Sequence, residues 1–251
     1  MSVAASGGNY SGVENLEVMA EAENYNRFLL SLVTRHLEPG RRVADFGAGT
    51  GTFALPLRRQ GVDIVAIEPD AALNARLRQA GIAAERDAAA LPDGSLDLVY
   101  TFNVLEHIAD DGAALRALAR KLRPGGRLLV YVPAFAVLFT AMDHKVGHLR
   151  RYRRAGLRAL VRGAGLAVDD VRYVDSLGFF ATLAYRVLAS GGDGSLDRRA
   201  VRVYDRLIFP VSRALDVLLS RCLGKNLLLL ATKPGQLHDN SPRSSSPRKR
   251  A

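Results

Sequence analysis

The chain has 251 residues, 48% of them hydrophobic, with a single cysteine and a formal net charge of +10. That length and apolar content suit one large packed domain and exclude a disordered chain, while a lone Cys222 excludes an intrachain disulfide framework. No run approaches the roughly 18 apolar residues that span a bilayer; the longest, residues 176–185, is followed at once by Arg186, so an integral membrane protein is not expected.

The opening MSVAASGGNYSG has neither the basic start nor the apolar core of a signal peptide, and a cytoplasmic location is expected. Residues 1–13 read as disordered. Across residues 14–37, Leu16, Met19, Tyr25, Phe28, Leu29, Leu32 and Val33 recur at helical spacing and predict one helix, ended by Pro39-Gly40. Strands are then predicted over residues 42–46, 63–68, 83–86, 96–102 and 127–132, alternating with amphipathic helices. The helix over 111–122 stops at the turn Arg123-Pro124-Gly125-Gly126. Such alternation implies βαβ units, hence an α/β fold with a parallel sheet covered by helices on both faces.

A helix over 155–164 leads to a strand over 167–174. Residues 177–223 read as two helices separated by Gly191-Gly192-Asp193-Gly194, the second kinked at Pro210. A short strand over 226–232 is expected at a sheet edge. No internal repeat or separate second domain is evident, so one domain over 14–233 is expected. Beyond it, residues 234–251 form a Ser/Pro-rich tail carrying Arg243, Arg248, Lys249 and Arg250.

The stretch DFGAGTGTFALPL, residues 45–57, places Gly47, Gly49 and Gly51 between a predicted strand and a predicted helix, where a backbone comes close to a ligand. A dinucleotide fingerprint requires glycine where Thr52 stands, and a P-loop requires a Lys-Ser/Thr pair that does not follow. Asp45 at the end of the strand would repel a pyrophosphate and attract an ammonium or sulfonium. Charge therefore favours S-adenosyl-L-methionine over NAD.

With these motifs the chain resembles the class I S-adenosylmethionine-dependent methyltransferases of small-molecule type, methyltransferase domain 11/12-like. DFGAGTG is similar to the family's first motif, IEPD (67–70) to its second-strand acid, LDLVYTFNVLEHI (96–108) to its fourth-strand motif and LRPGGRLLVYVP (122–133) to its fifth. The resemblance implies a doubly wound, Rossmann-like, mostly parallel seven-stranded sheet and S-adenosyl-L-methionine as cofactor. It further implies that Asp45, Gly47, Gly49, Gly51, Glu68, Asp87 and Asn103 hold that cofactor, Glu68 taking both ribose hydroxyls and Asp87 lying near the adenine amine.

Methyl transfer from a sulfonium is an in-line displacement, so the protein must aim the acceptor and see its nucleophile deprotonated. Candidate bases are His107, His144 and His148, with Tyr10 and Tyr152 as positioning groups. Glu106 and His107 read equally as an orienting pair or as ties for the following loop. Acceptor-binding or lid segments are expected at about 134–160 and 177–223. The run GHLRRYRR resembles a bacterial subgroup suspected of acting on glycans, lipids or secondary metabolites, and Arg150, Arg151 or Arg154 is a candidate clamp for an anionic acceptor. His144 and His148 lack an evident third ligand, and no metal is expected.

The leading expectation is methyl transfer, at oxygen, to a small-molecule, glycan or lipid-linked acceptor. The apolar stripe Tyr204, Leu207, Ile208, Val211, Leu215 and Leu218 reads as core or lid, and alternatively as a peripheral membrane contact. An RNA methyltransferase is one alternative, supported by basic charge but lacking an appended RNA-binding motif. DNA base methylation is disfavoured by the absence of an Asn/Asp-Pro-Pro-Tyr run. A non-catalytic cofactor-binding module is the other alternative, against which Asp45, Gly49 and Glu68 speak.

Overall fold

The computed structural model describes residues 13–188 and 197–235. Two short helices, α1 (Val13–Ala20) and α2 (Glu23–Thr34), precede the strand β1 (Arg42–Phe46). There follow α3 (Ala54–Arg59), β2 (Asp63–Ile67), α4 (Ala71–Gln79), β3 (Ala83–Glu85), β4 (Leu96–Phe102), α5 (Asp111–Lys121) and β5 (Leu122–Pro133). After these come α6 (Ala141–Lys145), α7 (Arg154–Gly163), β6 (Ala167–Val174), α8 (Ser176–Leu188), α9 (Arg198–Val203), α10 (Phe209–Leu219) and β7 (Asn226–Thr232).

The strands form one seven-stranded sheet in the order β3-β2-β1-β4-β5-β7-β6. β1 to β5 are mutually parallel, and β7 pairs antiparallel with both β5 and β6. Alternating side chains of β1 and β4 feed opposite faces. Ala44 and Val99 join Leu115 and Leu118 of α5 and Leu157 and Val161 of α7. Val43, Leu98 and Tyr100 join Leu29 of α2, Leu57 of α3 and Leu77 of α4. Helices thus cover both faces, as a Rossmann-like doubly wound sheet requires.

Four local expectations are corrected. β7 is an interior strand, not an edge: it pairs with β5 on one side and β6 on the other, and Leu227 and Leu229 enter one core while Leu228 enters the other. β6, whose outer half is exposed, is the edge instead. The helix foreseen over 14–37 is two helices. Asn26 Nδ2 donates to the Met19 and Ala20 carbonyls at the end of α1, and Asp205 accepts the Asn24 and Tyr25 N–H groups at the start of α2. Arg123-Pro124-Gly125-Gly126 lies inside β5 as a bulge, pairing with β4 at Leu122 and again from Arg127.

Pro210 does not kink a simple helix. The chain runs from α9 through a π-helical turn, Tyr204–Ile208, straight into α10. Proline has no N–H and crowds the carbonyl four residues back, and a widened turn relieves both faults. That turn supplies two inward side chains in succession, Tyr204 and Asp205. Tyr10, the Gly191–Gly194 separator, the disordered stretch foreseen before α1 and nearly all of the tail lie outside the described residues.

Candidate active site

The carboxyl ends of β1, β2, β4 and β5 open onto one cavity of about 1010 Å³. Its first half is built by the glycine loop. Gly47 has φ +80°, and a Cβ there would lie 2.3 Å from Val104 Cγ2. Only glycine lets the loop pass beneath the β4 segment. Gly51 has φ +82° but does not line the cavity; a Cβ would meet Leu77 at 2.9 Å, so this glycine serves the packing of loop on α4.

Glu68, buried just past β2, ties the loop to the strand beside it. Its Oε2 accepts the Gly49 N–H at 2.7 Å and its Oε1 the Asp70 N–H at 3.0 Å. Each carboxylate oxygen keeps a lone pair for a ligand hydroxyl. Burial raises its pKa, opposed by the Asp70 and Gly49 N–H groups. Asp87 also lines the cavity, its side chain accepting the Ala89 N–H at 2.8 Å at the head of a short 3-10 turn.

Asp45 is 3% exposed and its Oδ2 has no hydrogen-bond partner among the described residues. Burial pushes its carboxyl up to about 7, against the effect of the Tyr100 hydroxyl opposite it on β4, with the Glu68 charge adding to the rise. An unpartnered buried acid at a cavity wall suits a cationic ligand. Asn103, directly after β4, adopts φ +55° and turns its amide to the Tyr25 hydroxyl at 3.2 Å. With Phe135 (φ +57°) after β5 and Asp175 (φ +66°) after β6, three non-glycine residues hold left-handed backbone beyond strand ends near this rim.

The second half of the cavity carries a polar cluster. Glu106 is fully buried, and neither carboxylate oxygen has a hydrogen-bond partner among the described residues. Burial pushes its carboxyl up to about 8, with the Arg151 charge opposing and the Asp143 charge adding. His148 Nε2 is 3.7 Å from Glu106 Oε1, while its Nδ1 is 2.6 Å from Asp143 Oδ1. The His107 ring meets the His148 ring edge-on at 4.7 Å and is pushed down to about 4, by burial and then by His148. One ligand atom from each of Glu106, His107 and His148 lies within 4.8 Å of the others, a set able to hold a metal ion, which the sequence reading did not anticipate.

Asp143 organises this cluster. Burial works against its charge, yet the bonds from His148 and Arg151 hold its carboxyl well below the usual carboxylate range. Arg151 reaches it through two 2.9 Å bonds and donates to the Ala134 carbonyl as well. Two of the catalytic candidates fall outside the cavity lining. His144 is exposed and packs on Phe139, and Tyr152 is buried with its hydroxyl donated to Asp111 at 2.7 Å. Helix α6 ends at Lys145 and turns at Gly147, which separates His144 from His148.

The anion clamp foreseen at the arginines is also corrected. Arg150 binds Asp111 and the Ala109 carbonyl, Arg154 binds the Arg221 carbonyl, and Arg151 alone lines the cavity with its charge matched by Asp143. Tyr25, Asp143, Asp175, Tyr204 and Lys225, none of them named as a site residue from the sequence, sit in or against the second half. Tyr25 was legible only as a core residue of the first helix. Tyr204 was legible only as part of the late apolar stripe, Asp143 only as lying in the 134–160 segment, and Asp175 and Lys225 lie outside any motif.

Residues 20–171 match the family described as a methyltransferase domain. The chain is 32% identical over 170 residues to a ubiquinone biosynthesis O-methyltransferase of Xanthomonas axonopodis pv. citri (strain 306), covering 58% of this chain and 71% of that protein. Among solved structures it is similar to the [4+2]-cyclase SpnF (24% identity, TM-score 0.57, 84% of this chain and 81% of that one). It is also similar to a SAM-dependent methyltransferase, possible histamine N-methyltransferase, from Thermotoga maritima (18%, TM-score 0.53, 88% and 91%). These last two show the shared fold, and the first two comparisons, with the loop and its acids, settle the family. The chain belongs to the class I S-adenosyl-L-methionine-dependent methyltransferases.

Proposed function

We propose that this protein transfers a methyl group to an oxygen of a small-molecule acceptor, as the name of the O-methyltransferase relative suggests. The observation that carries this reading is the single cavity joining Asp45 and Glu68 to His107 and His148. When bound, S-adenosyl-L-methionine supplies a methyl made electrophilic by its sulfonium. Glu68 takes the ribose hydroxyls, Asp45 the ammonium, and Asp87 and Asn103 line the remaining wall. His107, kept neutral at physiological pH, receives the acceptor's proton, with His148 and Glu106 behind it. RNA methylation and a silent binding module are not favoured by the family match.

No described helix is long and apolar enough to cross a membrane. The acceptor is nonetheless proposed to be lipid-linked or presented at a lipid surface. Leu207 (66% exposed), Val217 (81%) and Leu218 (78%) protrude from the late helices, and the exposed Arg206 on the same stretch would meet anionic headgroups. We place the reaction on the cytoplasmic side, where the exposed Cys222 thiol stays reduced.

Incubation with S-adenosyl-L-methionine and a panel of catechols tests the reading by mass spectrometry of S-adenosylhomocysteine. Product above the Glu68→Ala background supports it, and none with any hydroxyl acceptor, with or without liposomes, overturns it. A chelator arm separates two roles for the polar cluster. Loss of rate restored by a divalent ion would assign Glu106, His107 and His148 to a metal rather than to proton transfer.

A further inference from the structure

Lys225 stands immediately before β7, at the end of the sheet where β5 and β6 also finish. Its backbone is fixed on both sides: the N–H donates to the Asp175 carbonyl and the carbonyl accepts the Ala134 N–H, each at 2.9 Å. Gly224 before it has no room for a side chain, since a Cβ would lie 2.5 Å from the Val174 carbonyl oxygen. The chain is therefore pressed against β6, and the next side chain, that of Lys225, lines the cavity beside Arg151, Tyr204 and Asn226.

The neighbouring charges are already engaged. Arg151 is paired with Asp143. Asp175 Oδ1 accepts from the Tyr204 hydroxyl (2.6 Å), Ser212 Oγ (2.8 Å) and the Gly178 N–H (3.1 Å). Lys225, by contrast, has no hydrogen-bond or ion-pair partner for its ammonium among the described residues. Burial lowers its pKa, partly offset by the Asp175 charge. A half-buried ammonium at a cavity wall, without a partner, is a ready site for a ligand oxyanion.

We propose that Lys225 is the acceptor-recognition residue of this cavity, its ammonium binding a carboxylate or phosphate carried by the methyl acceptor. The proposal rests on the reading of the cavity as a methyltransferase site and names the acceptor's chemical class. Adjacent strands are about 4.8 Å apart, so β7 lies two strands, roughly 10 Å, from Asn103 at the end of β4. A single ring bearing a hydroxyl at one end and an acid at the other has the right scale to bridge them.

The test is calorimetric titration of the S-adenosylhomocysteine-saturated protein with two matched pairs: 3,4-dihydroxybenzoate against its methyl ester, and phenyl phosphate against phenol. At least one acid is expected to bind wild type ten-fold or more tightly than its neutral partner. Lys225→Met should erase that preference, and Lys225→Arg should retain much of it. Affinity for S-adenosylhomocysteine should stay unchanged in both, which also shows that the variants are folded; Lys225→Gln replaces Lys225→Met if the latter does not fold. Equal binding within both pairs, no binding by any of the four, or a preference that survives Lys225→Met overturns the proposal. With a turned-over acid, Lys225→Met should raise KM with kcat little changed, and the reverse split would make Lys225 a proton acceptor and overturn it as well. Acids that bind through Lys225 yet are never methylated would leave this assignment standing while the methyl-transfer reading fails.

Discussion

Asp205 and Tyr25 are joined across 180 positions of sequence: Asp205 Oδ1 accepts the Tyr25 backbone N–H at 2.8 Å while its Oδ2 takes that of Asn24 at 2.9 Å. A side chain from the π-helical turn therefore serves as the cap that α2 lacks in its own sequence, where Ala22 occupies the N-cap position. Asp205→Ala should destabilise the protein by about 1–2 kcal/mol, the upper range for loss of a cap, read from urea unfolding. It should also reduce acceptor turnover, because Tyr25 holds the Asn103 amide at the cavity wall. Unchanged stability would mean that water caps α2 equally well.

Gly47→Ala should abolish measurable binding of S-adenosylhomocysteine. The new methyl would sit 2.3 Å from Val104 Cγ2, and the φ of +80° adds about 1–2 kcal/mol of backbone strain for a residue with a side chain. Adding Val104→Ala removes the methyl clash but not the strain, so the double variant should recover binding only in part. Full recovery would show that the backbone angle carries no cost at this position.

Cofactor binding should depend on pH through Asp45. With its carboxyl near 7, the free protein holds this acid mostly protonated at pH 6 and mostly charged at pH 8. The ammonium of S-adenosylhomocysteine favours the charged form, so affinity should rise over that interval, and Asp45→Asn should bind more weakly and flatten the profile. Stability has the opposite sign. A carboxyl raised above its ordinary value disfavours the fold once ionised, so its contribution worsens from about pH 4 to pH 7 and then stays constant. Asp45→Asn should accordingly gain stability relative to wild type as pH rises through that window, which thermal melts at pH 5 and pH 8 would show.

The Asp143–Arg151 pair is buried, with side chains 1% and 6% exposed. Removing one partner of a buried pair costs about 3–5 kcal/mol. Arg151→Met should fall in that range by chemical denaturation, and Asp143→Leu combined with it should recover part of the loss. A single variant within 1 kcal/mol of wild type would contradict the burial of the pair.

The parallel half of the fold was legible because its signals are local: alternating apolar runs, the glycine loop and acids at strand ends. β6 and β7 were legible as strands, but their neighbours were not. Leu227 to Leu230 announce burial on both faces, yet nothing in seven residues says which strands lie on either side. That Asp45, Gly47, Glu68 and Asp87 line one cavity was legible for the same local reason. The other half of the cavity depends on contacts between Asp143, His148 and Arg151, on Asp205 reaching back to α2, and on Gly224 pressing the chain before Lys225 against β6. Each requires the tertiary structure, and the arginine run showed its charge without showing that carboxylates and carbonyls already held it.

Because β7 lies between β5 and β6, the order in which the chain is made differs from the order in which the sheet can be completed. Among the described residues β6 pairs with β7 alone, so after its synthesis it must wait for residues 226–232 to leave the ribosome. At about 5–20 residues per second, that interval lasts for seconds. During it the nascent chain shows an unpaired β5 edge and a loose β6, the surfaces that ribosome-associated chaperones would be expected to shield.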